Sequence, residues 1–176
     1  MESLIRGESL TPAVDLAAPG SVDTGELAAV AAHTFPLACP PGTAAENIAS
    51  FIEANLSAER FAEYLADPRR AILTARHDGR IVGYAMLVRE GDTAELSKIY
   101  VLADYHGAGV SAALMDRTLA TARGWGVRRV WLGVNQQNHR AQRFYTKSGF
   151  VVDGTRTFRV GTRIEDDYVM VRVLAR

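Results

Sequence analysis

His106-Gly107-Ala108-Gly109-Val110-Ser111-Ala112 separates the apolar run 96–102 from a stretch with helical spacing. Two glycines where a strand gives way to a helix let the backbone come close to a ligand, at angles other residues resist. The first turn of the following helix leaves N–H groups without intrahelical partners, and the macrodipole adds partial positive charge. Such a turn receives phosphate through its backbone. The stretch therefore predicts a site for a phosphate-bearing small molecule at a strand–helix junction.

Downstream, Val110, Leu114, Leu119 and Ala122 keep the helical spacing, and Gly124 and Gly126 close that helix. Arg128–Val134 reads as a buried strand, Asn138–Ser148 as a helix stopped by Gly149, and 150–153 and 167–174 as two further strands. Upstream, Ala71–Arg76 and Ile81–Arg89 are β-type runs joined through Asp78-Gly79, a hairpin signal, and Gly91-Asp92 turns into the strand Glu95–Val101. Residues 8–18, with Leu10, Val14 and Leu16, read as an opening strand. Asp23 or Thr24 caps a helix reaching about Phe35, after which Pro36, Pro40, Pro41 and Gly42 force a loop. Thr43 and Glu46 have capping-box spacing for a second helix, with Ile48, Phe51, Ile52 and Leu56 on one face. Ser57 restarts a helix through Phe61, Tyr64 and Leu65, ending before Pro68. Helices interrupt strands in the middle and hairpins flank them, which predicts an α/β (mixed α+β) sheet with helices on both faces.

A chain of 176 residues suits a single domain spanning 1–176. Hydrophobic residues at 48%, with a formal charge of zero, give no global drive toward nucleic acid or an anionic membrane. Locally, no acid occurs between Arg117 and Val152, where Arg117, Arg123, Arg128, Arg129, Arg140, Arg143 and Lys147 fall. That is either a solvated basic surface or a cationic setting for the phosphate site. Cys39 is the only cysteine, which excludes an internal disulfide and suits a reducing cytoplasm. As a nucleophile it would need His33 as its base, and it sits beside Pro40-Pro41. His33, His77, His106, His139 and Cys39 show no metal-ligand spacing, so no metal is expected. No secretory leader and no membrane-length apolar run is read, and a cytoplasmic protein is expected. The apolar C-terminal strand offers a surface for a homodimer.

Three kinds of site place a glycine loop at such a junction. A P-loop needs Gly-Lys-Ser/Thr, and no lysine follows Gly109. Gly107–Ala112 matches the dinucleotide pattern G-x-G-x-x-G/A, but that fold also wants an acid roughly 20 residues on. Arg128 or Arg129 accepting a 2′-phosphate would be the substitute, in a chain short for both halves of such a fold. The third kind involves more of the chain. Ile99-Tyr100-Val101, the loop His106–Ala112, and Asn138…Ala141…Phe144-Tyr145…Gly149-Phe150, in that order, resemble the GCN5-related N-acetyltransferase (GNAT) superfamily. Its loop reads Gln/Arg-x-x-Gly-x-Gly/Ala, so His106 and Ser111 are departures. The segments His33-Thr34-Phe35, Glu46-Asn47-Ile48…Phe51-Ile52…Asn55-Leu56-Ser57 and Phe158-Arg159-Val160-Gly161 through Asp167, Met170 and Leu174 are similar to PaiA-like polyamine (spermidine/spermine) N-acetyltransferases.

The resemblance implies a GNAT-like mixed, mostly antiparallel sheet with two splayed parallel central strands and acetyl-CoA in the cleft between them. It implies that the backbone of Ile99, Tyr100 and Val101 pairs with the pantetheine arm, and that His106, Gly107, Ala108, Gly109, Val110, Ser111 and Ala112 receive the pyrophosphate. His106 serves there either as a pH-sensitive ring donor or through its backbone alone. Asn138 bonds the cofactor or caps its helix. Acetyl transfer requires a neutral amine, and an aliphatic amine has a pKa of about 10.4, so a base is needed. Glu95 is the first choice, because strand alternation puts Glu95, Ser97, Ile99 and Val101 on one face unless a bulge intervenes. Tyr145 holds the position of the family's general acid, also beside the cofactor, with Phe144 turned to the core. A phenol of pKa about 10 can donate to a departing thiolate of pKa about 8.5. Glu46, Glu53, Glu63 and Glu165-Asp166-Asp167 are the carboxylates available to draw a cationic acceptor. The resulting expectation is an acetyl-CoA-dependent N-acetyltransferase acting on a small-molecule amine, a polyamine by the narrower resemblance. Alternatives are a protein lysine, N-terminal or antibiotic-amine acetyltransferase, or a non-catalytic acyl-CoA-binding sensor.

Overall fold

Seven strands form one sheet in the order β1-β2-β3-β4-β5-β7-β6 in a computed structural model that describes residues 12–174. The strands are β1 (Ala13–Leu16), β2 (Arg70–His77), β3 (Arg80–Glu90), β4 (Thr93–Val101), β5 (Arg129–Asn135), β6 (Val151–Val160) and β7 (Arg163–Val173). The helices are α1 (Thr24–Ala38), α2 (Ala45–Asn55), α3 (Ala58–Ala66), α4 (Val110–Gly124) and α5 (His139–Lys147). Every neighbouring pair is antiparallel except β4 and β5. That parallel ladder is short, pairing Thr93–Glu95 with Arg129–Trp131. Beyond Glu95 the two strands part, and the opening between them organises the molecule.

The sheet is covered on both faces, which explains why β3 reads as an almost unbroken apolar run. Ala85 and Leu87 pack with Leu114, Leu119 and Ala122 of α4 on one face. Tyr84, Met86 and Val88 pack with Leu27, Val30 and Phe35 of α1 and Phe61 of α3 on the other. The β2–β3 hairpin forms as expected, with Asp78 (φ 53°) and Gly79 (φ 77°) both in the left-handed region a tight type I′ turn requires. The opening strand is confined to Ala13–Leu16 among the described residues, and the part of that expectation on residues 8–11 lies outside them.

Local expectations are corrected in three places. Asp23 caps α1, accepting from the Glu26 N–H at 3.1 Å, but the helix continues past Phe35 to Ala38 with Pro36 inside it. Pro36 sits in the last turn, where its missing N–H forfeits a single intrahelical bond and the buried Phe35 holds the turn in place. The capping box does not form: α2 starts at Ala45 with Ala44 at the N-cap position and no side-chain cap, and Thr43, one residue outside it, donates its hydroxyl to the Pro40 carbonyl at 2.7 Å. Strands β6 and β7 are longer than the runs 150–153 and 167–174. Their alternation carries Arg156, Glu165 and Asp167 toward the sheet interior, and inward charges mask a strand's hydrophobic period.

The decisive irregularity lies in β4. Leu87 pairs with Leu96, but Met86 pairs with Lys98, so Ser97 is an extra residue in a β-bulge. Before the bulge Ala94 and Leu96 face α4; after it Ile99 and Val101 do. Glu95 therefore shares its face with Lys98 and Tyr100, on the side of α1 and α3, and not with Ile99 and Val101. The single-face expectation fails for the reason that limited it: one inserted residue reverses strand parity.

Candidate active site

A cavity of about 840 Å³ runs along the opening between β4 and β5. The glycine loop closes one end of it. Gly107 and Gly109 have φ of 82° and 88°, and Gly109 is the N-cap of α4. Side chains on L-residues resist that region, so the close backbone approach depends on glycine. The loop divides its N–H groups between two tasks. Those of His106 and Ala108 bond the Ala103 and Tyr105 carbonyls at 3.1 and 3.2 Å, and Ala108 and Val110 are fully buried. Those of Gly107, Gly109, Val110, Ser111 and Ala112 have no partner among the described residues, and the first α4 bond runs from Ala113 to Gly109. A cluster of free donors at a helix N-terminus matches the needs of a diphosphate.

The His106 ring does not add a charge to this end. Its Nε2–H donates to the Val101 carbonyl at 2.8 Å, leaving Nδ1 to accept from the Arg140 guanidinium. Burial pushes the imidazole below its ordinary value, against the Val101 bond and with the help of Arg140. The ring thus ties the end of β4 to the loop as a neutral group. Arg140, on the first turn of α5, is the cation brought to the loop. The sequence marked it within the basic stretch without distinguishing it.

Beyond Glu95, β4 has β3 on one side and, among the described residues, no strand on the other, so its free edge can pair with an extended ligand. Ile99 and Val101 are buried in the α4 core, whereas Tyr100 faces the cavity, its phenol pushed up by burial and then by Cys39 and Asp167. Tyr145 lies on α5 across the opening, 6.1 Å from the Phe150 ring, with no hydrogen bond to its hydroxyl among the described residues. Burial holds that hydroxyl protonated well above the ordinary phenol range, with Tyr100 adding to the shift. Asn138 caps α5, its side-chain oxygen accepting from the Ala141 N–H at 3.2 Å.

The other end of the cavity is walled by aromatic rings and charged groups. Phe35 stacks on Phe51 at 4.4 Å, and Phe158 closes against Phe51 at 5.6 Å. Glu95 is partly buried here; burial raises its carboxyl, Arg156 opposes the shift and Glu90 adds to it. On β7 the alternation turns Glu165 and Asp167 inward, 6% and 4% exposed, and leaves Asp166 in solvent. Asp167 pairs with Arg156 at 3.3 Å, and the Arg156 guanidinium lies where a side chain on Gly133 would otherwise sit. Glu46, Glu53 and Glu63 are exposed and do not line this cavity. Sequence reasoning passed over Arg156 and Lys98. For Lys98 a signal existed, since lysine is rare in this chain; for Arg156 the placement is purely tertiary. Among the described residues no group of His, Cys, Asp and Glu is placed to hold a metal. No helix among them is long and apolar enough to cross a membrane.

A short parallel strand pair splays beside a glycine-capped helix, and the acetyltransferase (GNAT) family model matches residues 35–150. The chain belongs to the GNAT family. A relative from Mycobacterium tuberculosis, described as an uncharacterized N-acetyltransferase, is 71% identical over 153 residues, covering 86% of this chain and 98% of the relative. Among solved structures, the PaiA N-acetyltransferase of Thermoplasma acidophilum, in complex with coenzyme A, superposes with a TM-score of 0.81 at 20% identity, covering 94% of this chain and all of that one. The ribosomal-protein-S18-alanine N-acetyltransferase of Escherichia coli gives 0.71 at 20% identity, covering 93% and 96%. At such identities these two establish the fold, and it is the expected one: a mostly antiparallel sheet with one splayed parallel pair. The protein is an N-acetyltransferase with acetyl-CoA as co-substrate.

Proposed function

We propose that this acetyltransferase acts on a primary amine of a small cationic molecule, with a polyamine as the leading class. The observation that carries the reading is the pair Glu165 and Asp167, carboxylates almost wholly buried in an aromatic-walled chamber beside Tyr100. Buried carboxylates need cationic partners. Arg156 partners Asp167 and the half-exposed Arg163 partners Glu165 at 2.7 Å, which leaves lone pairs on both for an ammonium group. The faces of Phe35, Phe51 and Phe158 add cation–π attraction.

In this reading the free N–H groups from Gly107 to Ala112 and Arg140 hold the pyrophosphate, and the free edge of Ile99, Tyr100 and Val101 pairs with the pantetheine arm. Ala108 and His106 shape the loop, and Asn138 orients α5. Glu95, whose carboxyl burial makes more basic, takes the proton from the acceptor ammonium, directly or through water. Tyr145, kept protonated and unpartnered, gives its proton to the departing thiolate. The exposed apolar residues Val151, Val152 and Ile164 of the β6–β7 edge support a homodimer.

The test is coenzyme A release measured over di- and polyamines, antibiotic amines, and peptides with free N-termini or lysines. Spermidine or a related diamine outpacing every peptide is the expected result. Preference for a peptide N-terminus or lysine would overturn it, and cofactor binding without release on any acceptor would point to a sensor.

A further inference from the structure

Of the 20 lysines and arginines in the chain, two are lysines, Lys98 and Lys147. The difference is chemical: a guanidinium stays charged, whereas a buried ammonium can release its proton and become a nucleophile. Lys147 is exposed on the last turn of α5 at the rim of the cavity. Lys98 lines the acceptor end, delivered there by the Ser97 bulge onto the face shared by Glu95 and Tyr100.

The cations around Lys98 are committed to carboxylates, and Lys98 is not. Arg70 pairs with Asp67 at 3.1 Å and Arg156 with Asp167 at 3.3 Å. Lys98 forms no ion pair among the described residues. Its Nζ makes one long hydrogen bond, to Ser97 Oγ at 3.5 Å, and lies 5.9 Å from the Tyr64 ring centre. The groups facing it are Glu95 on its own strand, Arg70 on β2, and Tyr64 on α3. Burial lowers its pKa to about 8, Glu95 opposing and Arg70 assisting. The uncharged fraction at pH 7 is then roughly a tenth, against well under a thousandth for an ordinary lysine.

We propose that Lys98 is itself an acetylation site: with acetyl-CoA bound and the acceptor chamber empty, its Nζ takes the acetyl group within the same molecule. The inference rests on acetyl-CoA occupying the β4–β5 opening, with its thioester where the strands part. The Nζ lone pair forms a bond to the thioester carbonyl carbon and the carbon–sulfur bond breaks. The sulfur leaves with the bonding electrons and takes the proton that nitrogen gives up, so the products are coenzyme A thiol and an uncharged amide. The acetylated side chain fills part of the acceptor chamber and removes its titratable amine. An enzyme starved of acceptor would thereby lower its own turnover.

The experiment incubates the full-length protein with acetyl-CoA and no amine, then maps acetylation by mass spectrometry, with acetyl-CoA binding measured separately by calorimetry. Lys98 should be modified at least tenfold faster than Lys147, at a rate independent of protein concentration and suppressed by excess desulfo-coenzyme A. Its rate should rise about tenfold from pH 7 to 9 and level off, whereas simple acetylation of an ordinary amine keeps rising tenfold per unit. Calorimetric binding with Lys98 unmodified, or modified no faster than Lys147 or despite desulfo-coenzyme A, would overturn the proposal. Absence of binding would instead remove the occupancy on which it rests. Trace labelling with acetic anhydride, without cofactor, gives an independent readout: Lys98 reactivity should level off above pH 8, and a reactivity still climbing at pH 9 would count against it.

Discussion

Tyr145 carries the heaviest chemical load of any single residue in the proposed reaction, because its hydroxyl is a proton donor facing the opening with no partner among the described residues. Replacing it with phenylalanine keeps the ring contact with Phe150 and removes only the proton. Tyr145→Phe should lower kcat by about a hundredfold or more while leaving acetyl-CoA affinity within a few fold. Coenzyme A release and calorimetry on the same preparation check this, and equal loss of both would mark the tyrosine as a cofactor ligand. Glu95 makes the complementary prediction. A base must be ionised, and burial raises this carboxyl, so activity should fall on acidification at a pH above the ordinary carboxylate range. Glu95→Gln should remove that acidic limb from the pH profile of kcat/KM, and its persistence would assign the limb to another group.

At the scale of elements, the strand-to-helix loop and the β4 bulge do the positioning. Gly109 caps α4 at a φ of 88°, and its N–H belongs to the free set. Gly109→Glu should abolish measurable acetyl-CoA binding in calorimetry by placing bulk and negative charge among those donors, while circular dichroism stays native. The loop was legible in the sequence because its work is done by backbone, and glycines at fixed offsets before a helix advertise backbone. Glu95, the proposed base, stood out in the sequence as a residue and was misread in its orientation. Nothing in Glu95-Leu96-Ser97-Lys98-Ile99 reveals that Ser97 is the extra residue; the pairing of Met86 with Lys98 decides it. Helix ends behave similarly. Asp23→Ala should destabilise the fold by about 1 kcal/mol through loss of the α1 cap, read as a lower midpoint in urea. Thr43→Ala should cost much less, since Thr43 makes no cap.

For the molecule as a whole, the cavity joins elements distant in sequence: α1 and α2, the β4 edge, the α4 loop, α5, and the β6–β7 hairpin. A ligand bridging so many elements stabilises the native state by mass action. Acetyl-CoA at a hundred times its Kd should contribute about 2.7 kcal/mol, raising Tm by roughly 5–10 °C for a chain of this size. Differential scanning fluorimetry measures this directly, and an unchanged Tm would contradict cofactor binding in the β4–β5 opening. The homodimer is a molecular-scale question too. The C-terminal strand β7 lies inside the sheet between β5 and β6, so the edge strand at that end is β6, with Val151 and Val152 exposed. Light scattering should give twice the chain mass, and Val152→Lys should return it to the monomer value.

By itself the sequence determined the fold family, the co-substrate and the glycine loop at the strand–helix junction. Those are carried by local signals: glycine placement, hairpin turns, hydrophobic period, and motif order along the chain. Only the tertiary structure decided which groups share the chamber. It turned Glu95 and Lys98 to one side through a one-residue bulge, and buried Glu165 and Asp167 while leaving Asp166 in water. It also gave the His106 ring to the Val101 carbonyl and Arg140. These outcomes depend on strand register and on contacts between residues far apart in sequence, where a shift of one position reverses a face and no local pattern records it.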